Sequence, residues 1–211
     1  MKITEKEAKK ELLYWSKRLY DKGFSPATSG NISIKINDKI LISASGTCLG
    51  DITESDVAKT DLSGLALKGS KKPSSEKVMH AKIYSKRNDI NAIIHSHCPI
   101  ITSFAVAGFE LNKPILPDFA LLFSKVPICP YYCPSSIELA EVCSDLFKEG
   151  NNAVLLKNHG VIIGANNLKN AYYLLETLKM YCEIYLNAHT LGGIKTLTKK
   201  NVQEIEKLYK K

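Results

Sequence analysis

The chain has 211 residues, 45% apolar and 24% charged, a composition that suits one globular domain spanning residues 1–211 with a full core. No run approaches the roughly 18 apolar residues that a membrane span needs, and the charged segment Met1 to Lys10 lacks the apolar stretch of a secretion signal. The net charge is +8, but the lysines fall in isolated doublets without interleaved aromatics, which argues against a nucleic-acid surface and for one that favours small anionic substrates.

An amphipathic helix is predicted from about Glu5 to Lys22, with apolar positions at Ala8, Leu12, Leu13, Trp15, Leu19 and Tyr20 and a stop at Gly23. Ile32, Ile34 and Ile36 alternate with polar residues, Asn37-Asp38 offers a turn, and Ile40 and Ile42 resume the alternation, which reads as a hairpin. A short strand follows at Val57 to Thr60, then a helix from about Ser75 to Lys86 and a strand from Ile90 to His97. A helical turn is expected near Pro99 to Ala107. The proline-rich stretch Lys113 to Pro134 shows only one short strand, near Val126 to Cys129. Beyond it come a helix from Ser136 to Lys148, strands Ala153 to Lys157 and Val161 to Gly164, a long helix Leu168 to His189 and a short helix ending near Tyr209. Hairpins mixed among the helices make a purely parallel, doubly wound sheet a poor fit. The six cysteines are scattered, and reduced thiols in a cytoplasmic protein are the expectation.

Three histidines and a glutamate carry the chemistry. Side chains two apart on a strand share a face, so His95 and His97 project together from the end of the apolar strand. His159 sits in an Asn-His-Gly turn between two later strands. Three imidazoles with an open fourth position are the ligand pattern of a catalytic zinc. Glu76 falls in the first turn of a predicted helix, where Ser74 or Ser75 would cap and the macrodipole favours a carboxylate, so its position has a purely structural explanation as well. His80, one turn on, could face the same side as Glu76 or be a packed core histidine. Thr28-Ser29-Gly30-Asn31, Ser43-Ala44-Ser45-Gly46-Thr47 and Ser74-Ser75 each combine small hydroxyls or glycine with backbone amides, including free N–H groups at the helix start. They suit a phosphate held without a P-loop.

Taken in order, Ser29-Gly30-Asn31, Ser45-Gly46, Ser74-Ser75-Glu76, His95/His97 and Asn158-His159-Gly160 resemble the motifs of the class II aldolase/adducin family. The resemblance runs from the first helix through the long helix ending near His189. It implies a three-layer α/β/α sandwich around a mixed, largely antiparallel sheet, and a homotetramer with active sites at subunit interfaces. It implies one Zn2+ per subunit on His95, His97 and His159. Glu76 becomes the acid/base, touching the metal before substrate arrives, and Gly30, Asn31, Ser45, Gly46, Ser74 and Ser75 become the phosphate cradle. The chain is most similar to members that cleave L-fuculose 1-phosphate. The activity implied is reversible cleavage of a ketose 1-phosphate to dihydroxyacetone phosphate and an aldehyde, through an enediolate that the metal stabilises. Where such members carry a tyrosine at the aldehyde end, this chain reads Leu116-Pro117-Asp118-Phe119, which puts Asp118 or Phe119 near that position; Tyr209 resembles the family's C-terminal tyrosine. The same metal site also serves pentulose-phosphate 4-epimerases, which carry Asp rather than Glu at the acid/base position, and methylthioribulose-1-phosphate dehydratases. Adducin-like domains of the family are non-catalytic interaction modules.

Overall fold

A computed structural model describes residues 3–209. Helix α1 (Glu5–Asp21) opens on a capping box: the Thr4 hydroxyl accepts from the Glu7 amide while the Glu7 carboxylate accepts from the Thr4 amide. Strands β1 (Asn31–Ile36) and β2 (Lys39–Ser43) form the expected hairpin. Asn37 takes the turn with φ 47°, a left-handed conformation that asparagine tolerates. Next come β3 (Val57–Asp61), α2 (Lys77–Lys86), β4 (Ala92–Ser96) and α3 (Pro99–Val106). The proline-rich stretch holds a helix the sequence did not announce, α4 (Pro117–Leu122), with Pro117 at its first position, and the expected short strand, β5 (Ile128–Cys129). The chain ends with α5 (Ile137–Lys148), β6 (Ala153–Leu156), β7 (Gly160–Ala165), α6 (Leu168–Thr190) and α7 (Lys199–Tyr209).

The seven strands make one sheet in the order β3-β2-β1-β4-β7-β6-β5, antiparallel at every pairing except β5 with β6. Its two faces bury separate cores. Ile32, Ile34, Ile94, Val161 and Ile163 pack with Leu12 and Trp15 of α1, Phe104 of α3, Phe119 of α4 and Tyr172, Leu175 and Tyr181 of α6. Ile40, Ile42, Ile93, Val154 and Ile162 pack with Met79, Ile83 and Tyr84 of α2 and Leu139, Cys143 and Phe147 of α5. Period-2 alternation thus divides each strand between two helical layers, giving the expected α/β/α sandwich. Each fully buried aliphatic or aromatic side chain contributes about 1.5–3 kcal/mol. Helices α2 and α5 are further joined by ion pairs of Lys82 and Lys86 with Glu141, and of Lys86 with Asp145.

The alternation also aims the site. Ile93 belongs to the α2/α5 core and Ile94 to the opposite one, so His95 faces the layer of α2. On β1, Asn31 pairs with His95 across the ladder, and Ser33, two residues on, shares its face. The start of α2 lies over these central strands.

Candidate active site

His95 lies on β4 between Asn31 of β1 and Ile162 of β7. Strand β4 ends at Ser96, so His97 stands beyond it rather than on its face. The Ser96 hydroxyl donates to the Phe24 carbonyl (2.6 Å) and accepts from the Cys98 amide (3.1 Å), which fixes the exit of the strand. The two imidazoles still meet, Nε2 to Nε2, at 2.8 Å. His159 arrives from the β6–β7 turn, where Asn158 adopts φ 58° and the His159 amide closes on the Leu156 carbonyl. Gly160 follows because a Cβ there would sit 2.5 Å from the Ser96 carbonyl and 3.0 Å from the His97 ring. One ring nitrogen from each of the three histidines lies within 4.8 Å of the others.

The electrostatics of this cluster call for a cation. His95 Nδ1 is 3.0 Å from the Val161 carbonyl, which can only accept, so Nδ1 carries the proton and Nε2 presents a lone pair to the cluster. Burial, reinforced by His97, holds the His95 pKa at about 3, and burial with His95 holds His159 at about 4; burial lowers His97 too. Near neutral pH the three rings are therefore neutral and able to act as ligands. Glu76 sets Oε2 3.1 Å from His95 Nε2 and Oε1 3.6 Å from His159 Nε2. That spacing would suit an ion pair, but with His95 neutral it places a carboxylate oxygen against a lone pair. Glu76 Oε1 is buried and has no hydrogen-bond partner among the described residues. An acceptor cluster with an orphaned buried carboxylate oxygen is costly alone and fits a divalent cation at its centre. Three imidazoles and one carboxylate form a donor set suited to zinc and other first-row divalent ions.

Glu76 is not in the first turn of α2 but at its N-cap position, and its side chain makes no capping bond. The carboxylate turns into the cleft instead, where Asn31 Nδ2 reaches Oε2 at 3.4 Å. Glu76 is 5% exposed, too buried for a solvated helix-end charge. The segment before it is sewn to β2: the Ser74 amide donates to the Ser43 carbonyl and the Ser45 amide to the Lys72 carbonyl. The Ser74 amide is therefore engaged, contrary to the expectation of a free N–H there. The Ser74 hydroxyl accepts from the Glu76 amide.

A cleft of about 200 Å³ joins these parts. Gly30, Asn31, Ser45, Gly46, Ser74 and Ser75 all line it together with Glu76, His95, His97 and His159. Gly30, with φ 73°, lies so close to β4 that a Cβ would meet the His95 carbonyl at 2.6 Å; Gly46, with φ 75°, faces open space. A larger groove, about 900 Å³, lies at the other end of β1, against Ile3, Lys35, Asn37 and Asn167. Among the described residues, the only group of three or more ligating side chains is the histidine triad, which makes the smaller cleft the candidate site.

Residues 10–186 match the model of the Class II Aldolase and Adducin N-terminal domain. The chain belongs to the class II aldolase and adducin family. It is 37% identical over 178 residues to the L-fuculose phosphate aldolase of Methanocaldococcus jannaschii, covering 84% of this chain and 95% of that one. It is 32% identical over 211 residues to the 5-deoxy-D-ribulose 1-phosphate aldolase of Bacillus thuringiensis serovar kurstaki, covering 98% and 97%. A solved L-fuculose 1-phosphate aldolase superposes with a TM-score of 0.90 at 31% identity, covering 100% of this chain and 99% of that one. The chain is accordingly an enzyme of the class II aldolase type, a lyase.

In this family member, the residues expected at the aldehyde end do not reach the cleft within one chain. Phe119 is buried in the core, its ring stacked on Tyr181 at 4.0 Å, because its position on α4 faces α6. Asp118 lies in the exposed first turn of α4, and Tyr209, at the end of α7, is 73% exposed. Sequence reasoning missed Pro134 and Ser135, which line the cleft just before α5. Ser135 has φ 69°, unusual for serine, and the Pro-Ser-Ser start of α5 was the available signal. His80 is fully buried and bonded to Ser33, so its ring does not line the cleft.

Proposed function

We propose that this chain is a zinc-dependent sugar-phosphate aldolase that reversibly cleaves a ketose 1-phosphate, such as L-fuculose 1-phosphate, to dihydroxyacetone phosphate and an aldehyde. The convergence of His95, His97, His159 and the orphaned Glu76 carboxylate on one point, in a cleft walled by hydroxyl and glycine turns, carries the reading. A divalent ion held there supplies a Lewis acid for the ketose carbonyl and its neighbouring hydroxyl. The turns at Gly30-Asn31, Ser45-Gly46 and Ser74-Ser75 hold the phosphate, and the basic surface draws anions toward it. In cleavage the C4 hydroxyl gives its proton to water, C4 becomes the aldehyde carbonyl as the C3–C4 bond breaks, and the electron pair of that bond stays on C3. Glu76 then delivers a proton to C3; in synthesis it removes that proton. No Schiff-base lysine takes part.

The reading extends to a homotetramer in the cytoplasm built from one domain per chain. Exposed Tyr173, Met180, Ile184 and Leu186 on α6 support self-association. Among the described residues, no helix is long and apolar enough to cross a membrane.

The test is proton–deuterium exchange at the hydroxymethyl carbon of dihydroxyacetone phosphate, with zinc-loaded enzyme and no aldehyde. Exchange is expected. Its absence, together with loss of water from a ketose phosphate, would move the assignment to the dehydratase branch.

A further inference from the structure

Behind the cleft lies a polar chain that the reaction does not use directly. His80 is wholly buried on α2, and its Nδ1 is 2.7 Å from the Ser33 hydroxyl, itself 2.7 Å from the hydroxyl of Tyr84. Ser33 is fully buried and Tyr84 nearly so. Burial, with His95 nearby, keeps the His80 pKa at about 3, so the ring is neutral and carries one proton. Three groups with two contacts leave three arrangements, because Ser33 has one proton to give. If His80 donated from Nδ1 to Ser33, then either Ser33 would donate to Tyr84, leaving the phenol proton without an acceptor, or Ser33 would accept from both, leaving its own proton without one. In the third arrangement Tyr84 donates to Ser33, Ser33 donates to His80 Nδ1, and the His80 proton sits on Nε2. That arrangement pairs both hydroxyl protons within the chain and leaves its one spare proton on His80 Nε2.

The proton on Nε2 then has no acceptor among the described residues, although the atom is buried. Two other buried atoms in this corner are also unpartnered, Asn31 Oδ1 and Glu76 Oε1, and both are acceptors. Their residues flank the chain. Asn31 and Ser33 share one face of β1, and Glu76 and His80 are one helical turn apart, with the His80 amide donating to the Glu76 carbonyl at 3.3 Å. A packed core histidine would have both nitrogens satisfied. This one leaves Nε2 unpartnered, as Asn31 Oδ1 and Glu76 Oε1 are, with none of the three bonded to another.

We propose that His80 is a positioning residue for Glu76: held by Ser33 and Tyr84, it locks the first turn of α2 onto β1 and offers its Nε2 proton to the Glu76–Asn31 corner, which fixes the carboxylate in its proton-transfer orientation. The inference rests on the aldolase reading, and the same exchange reaction separates the two. Asparagine at 80 keeps a polar atom for Ser33 but has none where Nε2 lies; glutamine restores one near the Nε2 position. The zinc-loaded full chain and its His80→Asn and His80→Gln variants are compared for metal content, thermal midpoint and deuterium exchange into dihydroxyacetone phosphate. His80→Asn should lose about 10–100-fold in exchange rate while metal content and KM stay within about 2-fold, and His80→Gln should recover most of the loss. If His80→Asn does not fold, Tyr84→Phe, which keeps the ring and removes only the hydroxyl, should lower the exchange rate several-fold at full metal content. A folded, metal-replete His80→Asn (or, where that variant does not fold, Tyr84→Phe) exchanging at the parent rate, or losing exchange only in step with metal, overturns the inference. A parent that fails to exchange overturns the aldolase reading and this inference with it.

Discussion

Single atoms decide how tightly the histidines can gather. A Cβ on Gly160 would fall 2.5 Å from the Ser96 carbonyl and 3.0 Å from His97, so Gly160→Ala must push β7 away from the exit of β4 or displace the His97 ring. The overpacking should cost about 1–3 kcal/mol and weaken metal retention, read as a lower urea midpoint and less zinc per chain after dialysis. Glu76→Gln separates the two roles of that side chain. It is nearly isosteric but cannot exchange protons, so turnover should drop about 10²–10⁴-fold while most of the metal remains on the histidines. Turnover within a few-fold of the parent would reduce Glu76 to a structural residue. The histidines were legible in the sequence because H-x-H and Asn-His-Gly are local patterns. Glu76 was ambiguous, since a carboxylate at a helix start has a local explanation, and only the three-dimensional meeting with Asn31, His95 and His159 removes it. Phe119 was misplaced for the converse reason: nothing in Leu116-Pro117-Asp118-Phe119 announces a partner such as Tyr181, sixty-two positions on.

At the scale of elements, period and punctuation placed nearly every helix and strand, with ends off by a residue or two. The failures are physical. Helix α4 has six residues and a proline at its start, too short to show a periodic apolar stripe. The short strand expected near Val126 to Cys129 is present as β5, although it pairs over only two residues. His97 was assigned to β4 because alternation continues past Ser96, whereas the strand is ended by the Ser96 hydroxyl bonding to Phe24. The docking of α1 on the sheet offers a test. Glu5 lies 2.6 Å from Lys59 of β3 and 3.1 Å from Lys39 of β2, and these lysines hold its pKa at about 2, below the usual 4.5. A depressed folded-state value stabilises the fold above pH 4.5, and that stability is lost as pH falls toward 2. The parent should therefore be more stable than Glu5→Gln at pH 6, and the difference in urea midpoint should close between pH 4.5 and 2. The groups are about one-third exposed, so the gap will be small.

For the whole molecule the expectation concerns assembly. Asp118 and Tyr209 stand on the outside of the single chain, while the cleft is walled on one side by turns of its own sequence. If a neighbour completes the site, activity should require the oligomer. Light scattering should give about four times the mass of one chain, and dilution into monomers should abolish turnover while leaving the histidines able to bind zinc. A fully active monomer would refute the tetramer.

The strands that bring the site together, β1, β4 and β7, are the three central members of the sheet, each bonded on both sides. His95 sits on that midline, and His97 and His159 adjoin the ends of β4 and β7, whereas the proposed phosphate cradle is made of turns at strand and helix ends. The two parts should therefore diverge at different speeds. Loop grafts at Thr28 to Gly30 or Ser45 to Thr47 can reshape what is gripped while the ion-binding corner keeps its geometry. Retooling such an enzyme for a new sugar is then a matter of rewriting edges around a fixed hub.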